Sequence, residues 1–268
     1  MAKKSFFTVL LVFMAVLGAK AQNNKDHSLA NFEGNGIVIA RDYDVGEFKA
    51  ISLVASAAVN YTVSSNYSCR VTLDENLFEY LDIYLKEDCL RFEHIKTFEQ
   101  ANMKPTKFVI EICAPTLEKI SLVGGGDFII ATPFEAPKLE INMSGAYGVF
   151  INETATVQDF KMNLVGAGKL VCENLHADHV NLAVAGPGSM VIKEGKVKSA
   201  DITVAGTGSV ETRCELETMD YTITGTGAGR IYYSGDVNVK GTTMFGKIER
   251  IDSKNEKNNK EKCCHEKP

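Results

Sequence analysis

Three stretches decide the fold: residues 161–172 read KMNLVGAGKLVC, residues 181–192 read NLAVAGPGSMVI, and residues 201–212 read DITVAGTGSVET. Each holds a Gly-x-Gly between two alternating segments. Working outward, the first glycine of each copy, or its nearest equivalent, falls at Gly124, Gly145, Gly166, Gly186, Gly206 and Gly225, in steps of 21, 21, 20, 20 and 19. A period in this range marks a solenoid. Four residues before that glycine stand Ile120, Ile141, Met162, Leu182, Ile202 and Tyr221. Two before it stand Leu122, Met143, Leu164, Val184, Val204 and Ile223. Five before it, the residues are Lys119, Glu140, Lys161, Asn181, Asp201 and Asp220, all polar. Period two is the signature of a strand with one face inward.

The alternation resumes four residues after the glycine at Phe128, Val149, Leu170, Met190 and Val210, with Gly229 in the sixth copy. It continues six residues after at Ile130, Ile151, Cys172, Ile192, Thr212 and Ile231. Each coil is therefore a strand, a glycine corner and a second strand. Gly124, Gly126, Gly145, Gly166, Gly168, Gly186, Gly188, Gly206, Gly208, Gly225 and Gly227 are read as structural corner residues, where positive φ or close backbone approach needs no Cβ. The apolar spacing excludes an α-solenoid, and a propeller blade needs about forty residues. The expected fold is all-β: a parallel β-helix, or β-solenoid, of about 20-residue coils. Ile51, Leu53, Val59 and Tyr61 around Ala55-Ser56-Ala57 read as a degenerate terminal copy. So do Val237 and Val239 before Gly241, with Phe245 and Ile248 beyond.

Between the first copy and the array, Asp74–Tyr80 reads as a short helical turn, and Leu81–Leu85 with Leu90–Phe92 as an inserted hairpin. Phe98–Pro105 reads as a loop, and Phe108–Ile112 as the strand that re-enters the array.

The chain termini differ in composition. Residues 1–21 carry Lys3 and Lys4, an apolar run from Phe6 to Leu17, and Ala19-Lys20-Ala21. This is a secretory signal peptide with cleavage before Gln22, because the run is shorter than the roughly 20 residues that span a bilayer. Its removal leaves 26 basic and 34 acidic residues, a charge of −8. Residues 22–35 read as a polar linker, 36–251 as a single solenoid domain, and 252–268 as a disordered polar tail. The expected location is the periplasm, the outer surface or the extracellular space. Net acidity argues against a nucleic-acid surface.

The order of these elements resembles the head GIN domain family of putative autotransporter adhesins. The resemblance is carried by Phe48-Lys49-Ala50-Ile51-Ser52-Leu53, Ala55–Thr62, Glu75-Asn76-Leu77, Val109–Ile112, Ala114–Leu117, and Ser121–Asp127 with its repeats. It implies an exported, adhesin-like protein of the Bacteroidetes type, with a right-handed solenoid and no established catalytic residues.

The residues themselves supply no strong catalytic cluster. A polysaccharide lyase or hydrolase on a β-helix is the enzymatic alternative, and needs acidic and basic groups converging on neighbouring coils. The row three after the glycine holds Asp127, Gly148, Lys169, Ser189, Ser209 and Ala228, which is mostly small. Asp127 reads as a turn residue, and Lys169 and Arg230 as surface charges. The glycine loops do not open helices, so they are not phosphate cradles. His176-x-x-His179 lacks further ligands for a metal site. Seven cysteines is an odd count: Cys172 reads as a core filler, Cys69, Cys89, Cys113 and Cys214 as candidates for pairing after export, and Cys263 and Cys264 as part of the tail. No cofactor and no metal are expected. Outward Thr203, Thr207, Thr222, Thr224 and Thr226 favour binding of an extracellular glycan or protein, or self-association, over catalysis.

Overall fold

The computed structural model describes residues 31–95, 102–225 and 228–251. The proposed signal peptide, most of the linker, the tail, Cys263, Cys264, Thr226 and Gly227 lie outside them.

The strands, in chain order, begin with β1 (Asn31–Glu33), β2 (Val38–Tyr43), β3 (Ala50–Val54), β4 (Ala58–Val63) and β5 (Ser68–Asp74). A 3₁₀ helix (Glu75–Tyr80) and the hairpin of β6 (Leu81–Lys86) and β7 (Cys89–His94) follow. Next are β8 (Asn102–Lys104), β9 (Val109–Ala114), β10 (Lys119–Ile130), β11 (Phe134–Gly166), β12 (Lys169–Ala185) and β13 (Ser189–Ala205). The chain ends with β14 (Ser209–Thr212), β15 (Glu215–Thr224), β16 (Arg230–Tyr233), β17 (Asn238–Thr243) and β18 (Lys247–Arg250).

The array is a parallel β-solenoid, as the glycine period predicts. Its register places Ile120 on Ile141, Leu122 on Met143 and Gly124 on Gly145. Next, Met162 stacks on Leu182 and Leu164 on Val184, then Leu182 on Ile202 and Val184 on Val204. Both rows before the corner are buried except half-buried Tyr221, and so are Phe128, Val149, Leu170, Met190 and Val210 after it. Continuous apolar ladders of this kind are the main favourable term for the fold, at about 25 cal/mol per Å² of apolar surface removed from water. Tyr147 fills the corner from inside, its hydroxyl donating to the Ala55 carbonyl at 2.6 Å and accepting from the Ala57 N–H at 3.3 Å.

Each coil has a third side as well as the two expected. Ala155 and Val157 stack on Leu175 and Ala177, and these on Gly195 and Val197; Leu216 follows Val197. This side absorbs the changes in repeat length. The register offset falls by one residue between Ile151 and Thr154. The same side shortens again before Lys196 pairs with Glu215.

The last two coils differ from the expected alignment. Ser209 pairs with Arg230 and Val210 with Ile231, so the corner after Gly225 is two residues longer and Ile231, not Gly229, continues the row of Val210. Gly241 is not a corner. It lies under Tyr221, whose ring carbons stand 2.5 and 2.7 Å from where a Cβ would be.

The first copy is not terminal either. β3 and β4 pair with β10 on one side, and with β7 and β9 on the other. β9 therefore does not re-enter between the first copy and the array; it forms a layer outside the first copy. Antiparallel β5 and β2 extend that layer beyond β9, and β6 extends it beyond β7. Antiparallel pairing at this end covers the parallel edge that a solenoid would otherwise expose. The hairpin turns at Glu87 and Asp88, both at positive φ (52° and 57°). Residues 102–104, read as loop, form β8 and pair with β1. Buried Asp74 ties these pieces together by accepting from the Gly36 N–H at 2.9 Å and the Thr106 N–H at 2.7 Å.

Candidate functional site

Where the third side bends into the strand leading to the glycine corner, each coil turns one small or aliphatic side chain inward. The five are Ala136, Val157, Ala177, Val197 and Leu216. Alternation along a strand sends the residues on either side of each one outward. The result is an open groove of about 940 Å³ running along the solenoid axis with those five residues as its floor. One wall is Glu135, Thr156, His176, Lys196 and Glu215. The other is Pro137, Gln158, Asp178, Lys198 and Glu217. Coils stack about 4.8 Å apart, so the floor is roughly 19 Å long.

Four of the charges in the groove are paired along the axis. Lys198 stands 2.6 Å from Asp178, and Lys196 stands 3.4 Å from Glu215. The hydrogen bond from Lys198 holds the Asp178 carboxyl below its ordinary range, and the same bond raises the Lys198 ammonium. Asp178 is thus fixed as an anion, which is the opposite of what a general acid at neutral pH requires.

The residues singled out from sequence lie elsewhere. Asp127 and Lys169 share an outward row on the side after the corner, two coils apart with Gly148 between them. Lys169 places its ammonium 4.7 Å from the centre of the Phe150 ring. Arg230 lies further along the same ladder, beside Ser209. His176 faces the groove, whereas His179 hydrogen-bonds Ser199 at 2.6 Å, so the two do not converge. Thr203, Thr222 and Thr242 form one outward row, with Thr224 beside Ala205 and Thr207 on the corner ridge.

The first glycines, Gly124, Gly145, Gly166, Gly186, Gly206 and Gly225, have φ between 103° and 126°, and Gly126 has 131°. Gly168, Gly188 and Gly208 are not at positive φ. A Cβ there would collide with side chains of earlier strands, such as Leu164 2.4 Å from that of Gly188 and Val184 2.5 Å from that of Gly208. Cys69, Cys89, Cys113, Cys172 and Cys214 are all free thiols.

Two features escaped the sequence reading. The groove did, because its floor belongs to the third side, where repeat lengths vary. So did a half-buried outward row of Ile129, Phe150, Val171 and Val191, five residues after the glycine. Its signal was a run of apolar residues without alternation, since Phe128 to Ile130 and Val149 to Ile151 are apolar on both faces.

Solved structures share the fold. A putative adhesin from Parabacteroides merdae is 23% identical, with a TM-score of 0.70 over 83% of this chain and 100% of that one. A putative adhesin from Bacteroides fragilis is 24% identical, with a TM-score of 0.72 over 82% and 100%. A putative lipid binding protein from Parabacteroides distasonis is 26% identical, with a TM-score of 0.71 over 83% and 100%. No curated protein matches the sequence. The family described as putative auto-transporter adhesin, head GIN domain, matches residues 47–246, and the chain belongs to that family.

Proposed function

We propose that this protein is an exported, non-catalytic binding module that holds an extended ligand along its solenoid axis. The observation that carries the reading is the groove, in which five successive coils each supply one floor residue and two wall residues. A surface repeated in this way offers a ligand one set of contacts per coil, and so binds by many weak interactions. The adhesin description of the family supports a binding role. The signal-peptide pattern of residues 1–21 supports export. The Lys198 hydrogen bond that keeps Asp178 ionised argues against that residue as a general acid. Asp127 stands in a different row, on the side after the corner.

The test has two arms. Expression with cell fractionation should yield an exported protein beginning at Gln22. Purified protein incubated with neutral and acidic polysaccharides should retain ligand without releasing reducing or unsaturated ends. Release of such ends, abolished by substituting groove carboxylates or Asp127, would overturn the non-catalytic reading.

A further inference from the structure

Three properties of the groove narrow what it holds, granted that the protein is a binding module. The first is direction. The groove crosses its strands, so a chain lying in it meets a new coil about every 4.8 Å. The second is the state of the backbone. Residues 154–157, 174–177 and 194–197 are paired coil to coil, so their main-chain groups are already used. Strand addition, the usual way to hold an extended peptide, is unavailable there. Recognition falls to side chains: carboxylates, ammonium groups, the Gln158 amide and the Thr156 hydroxyl. Groups that both donate and accept hydrogen bonds at every step, such as sugar hydroxyls, suit that lining, and the aliphatic floor suits the C–H faces of sugar rings.

The third property is charge. The two cations, Lys196 and Lys198, flank the same floor residue, Val197, in the fourth of the five coils, and both are already paired. Glu135 lines one end and Glu217 the other. A polyanion would meet carboxylates at both ends and would have to break the lysine pairs. A polycation would meet both ammonium groups on the fourth coil and would have to displace them to reach Asp178 and Glu215. Like charges brought together at an interface cost several kcal/mol, whereas an uncharged chain incurs no such cost. We infer that the groove seats an uncharged, unbranched polysaccharide segment roughly 19 Å long.

The experiment is titration of the purified protein with linear β-glucan and mannan oligomers of graded length, with polygalacturonate as polyanion and polylysine as polycation. Affinity for neutral oligomers of at least one series should climb with length and level off once the oligomer spans the groove. Thr156→Trp with Gln158→Trp, both at exposed wall positions, should weaken binding at least tenfold, whereas Thr207→Trp on the corner ridge should not. Lys196→Ala with Glu215→Ala probes the same walls without added bulk and should weaken binding severalfold at unchanged melting temperature. Tighter binding of polygalacturonate or polylysine would overturn the inference, as would neutral binding that ignores the tryptophan pair. If the protein binds cells or proteins but no neutral glycan, the inference fails and the binding-module reading stands. If it binds nothing in any arm, both fail.

Discussion

Gly145 and Gly206 occupy the same corner in different coils and have nearly the same φ, 113° and 115°. An alanine at either must adopt a conformation that L-residues rarely take, which costs about 1–3 kcal/mol. Their surroundings differ. A Cβ on Gly145 would lie 2.2 Å from the Gly124 carbonyl oxygen, far inside contact distance, and that oxygen is fixed by the ladder. On Gly206 the nearest atom, the Gly186 nitrogen, is 3.2 Å away. Gly145→Ala must therefore also push two coils apart, at a further cost of about 1–3 kcal/mol, typical of overpacking. Gly206→Ala should lose only the conformational part, and Gly206→Val should cost more than Thr207→Val. Thr207 is exposed on the ridge, so its valine variant should stay within about 0.5 kcal/mol of the parent. Urea unfolding at constant m-value measures all four. A Gly145→Ala cost no larger than that of Gly206→Ala would refute the claim that coil contact, beyond φ, fixes these glycines.

Other outcomes follow from single contacts. Tyr147→Phe should cost about 1–3 kcal/mol in the same assay, because the Ala55 carbonyl and the Ala57 N–H are left buried without their partner. Burial works to raise the Asp74 carboxyl, but hydrogen bonds from Thr106, Gly36 and Lys107 outweigh it and hold the group below its ordinary value. Its stabilising contribution is full above the unfolded pKa of about 3.9 and is lost as pH falls through the lower native value. Asp74→Asn should therefore destabilise at neutral pH and flatten the acid limb of stability against pH; an unchanged limb would count against the latch. Burial pushes the Cys172 and Cys69 thiols up to about 12 and the Cys214 thiol to about 11. Peptide-resolved alkylation at pH 8 should leave all three unlabelled until the protein unfolds; rapid native labelling of Cys172 would show that the coil opens.

The rows around the glycine were legible because inward side chains in a solenoid repeat by position, and the two rows before the corner sit where the array keeps one register from Gly124 to Gly225. The hairpin was legible from local alternation and turn residues. The third side was not, because one residue is lost after Ile151 and another before Glu215, so an alignment anchored on the glycines slides out of phase there. The same anchoring misplaced Ile231 and Gly241. The position of the first copy was illegible for a different reason. β9 is more than forty residues beyond β4, with which it pairs, and no local pattern says on which side of the first copy it docks. The groove inherits the first difficulty, since its floor runs through the side whose spacing drifts.

The exposed charges show why such a site can diverge while the scaffold stays fixed. Lys138 with Glu118, Lys161 with Glu140, Lys193 with Glu173, Lys198 with Asp178 and Lys196 with Glu215 each join residues 19 to 21 positions apart, one coil to the next. Exposed pairs of this kind contribute about 0–1 kcal/mol each and weaken with salt. The buried ladders supply most of the stability, and in a solenoid each coil answers only to its neighbours. Replacing a wall residue such as Lys196 or Gln158 therefore changes what the groove offers a ligand at little cost to folding. Replacing the floor residue Val197, 3% exposed, alters both at once. On the proposed binding role, specificity can therefore be altered through the walls one coil at a time with little change in stability, whereas a change to the floor alters the two together.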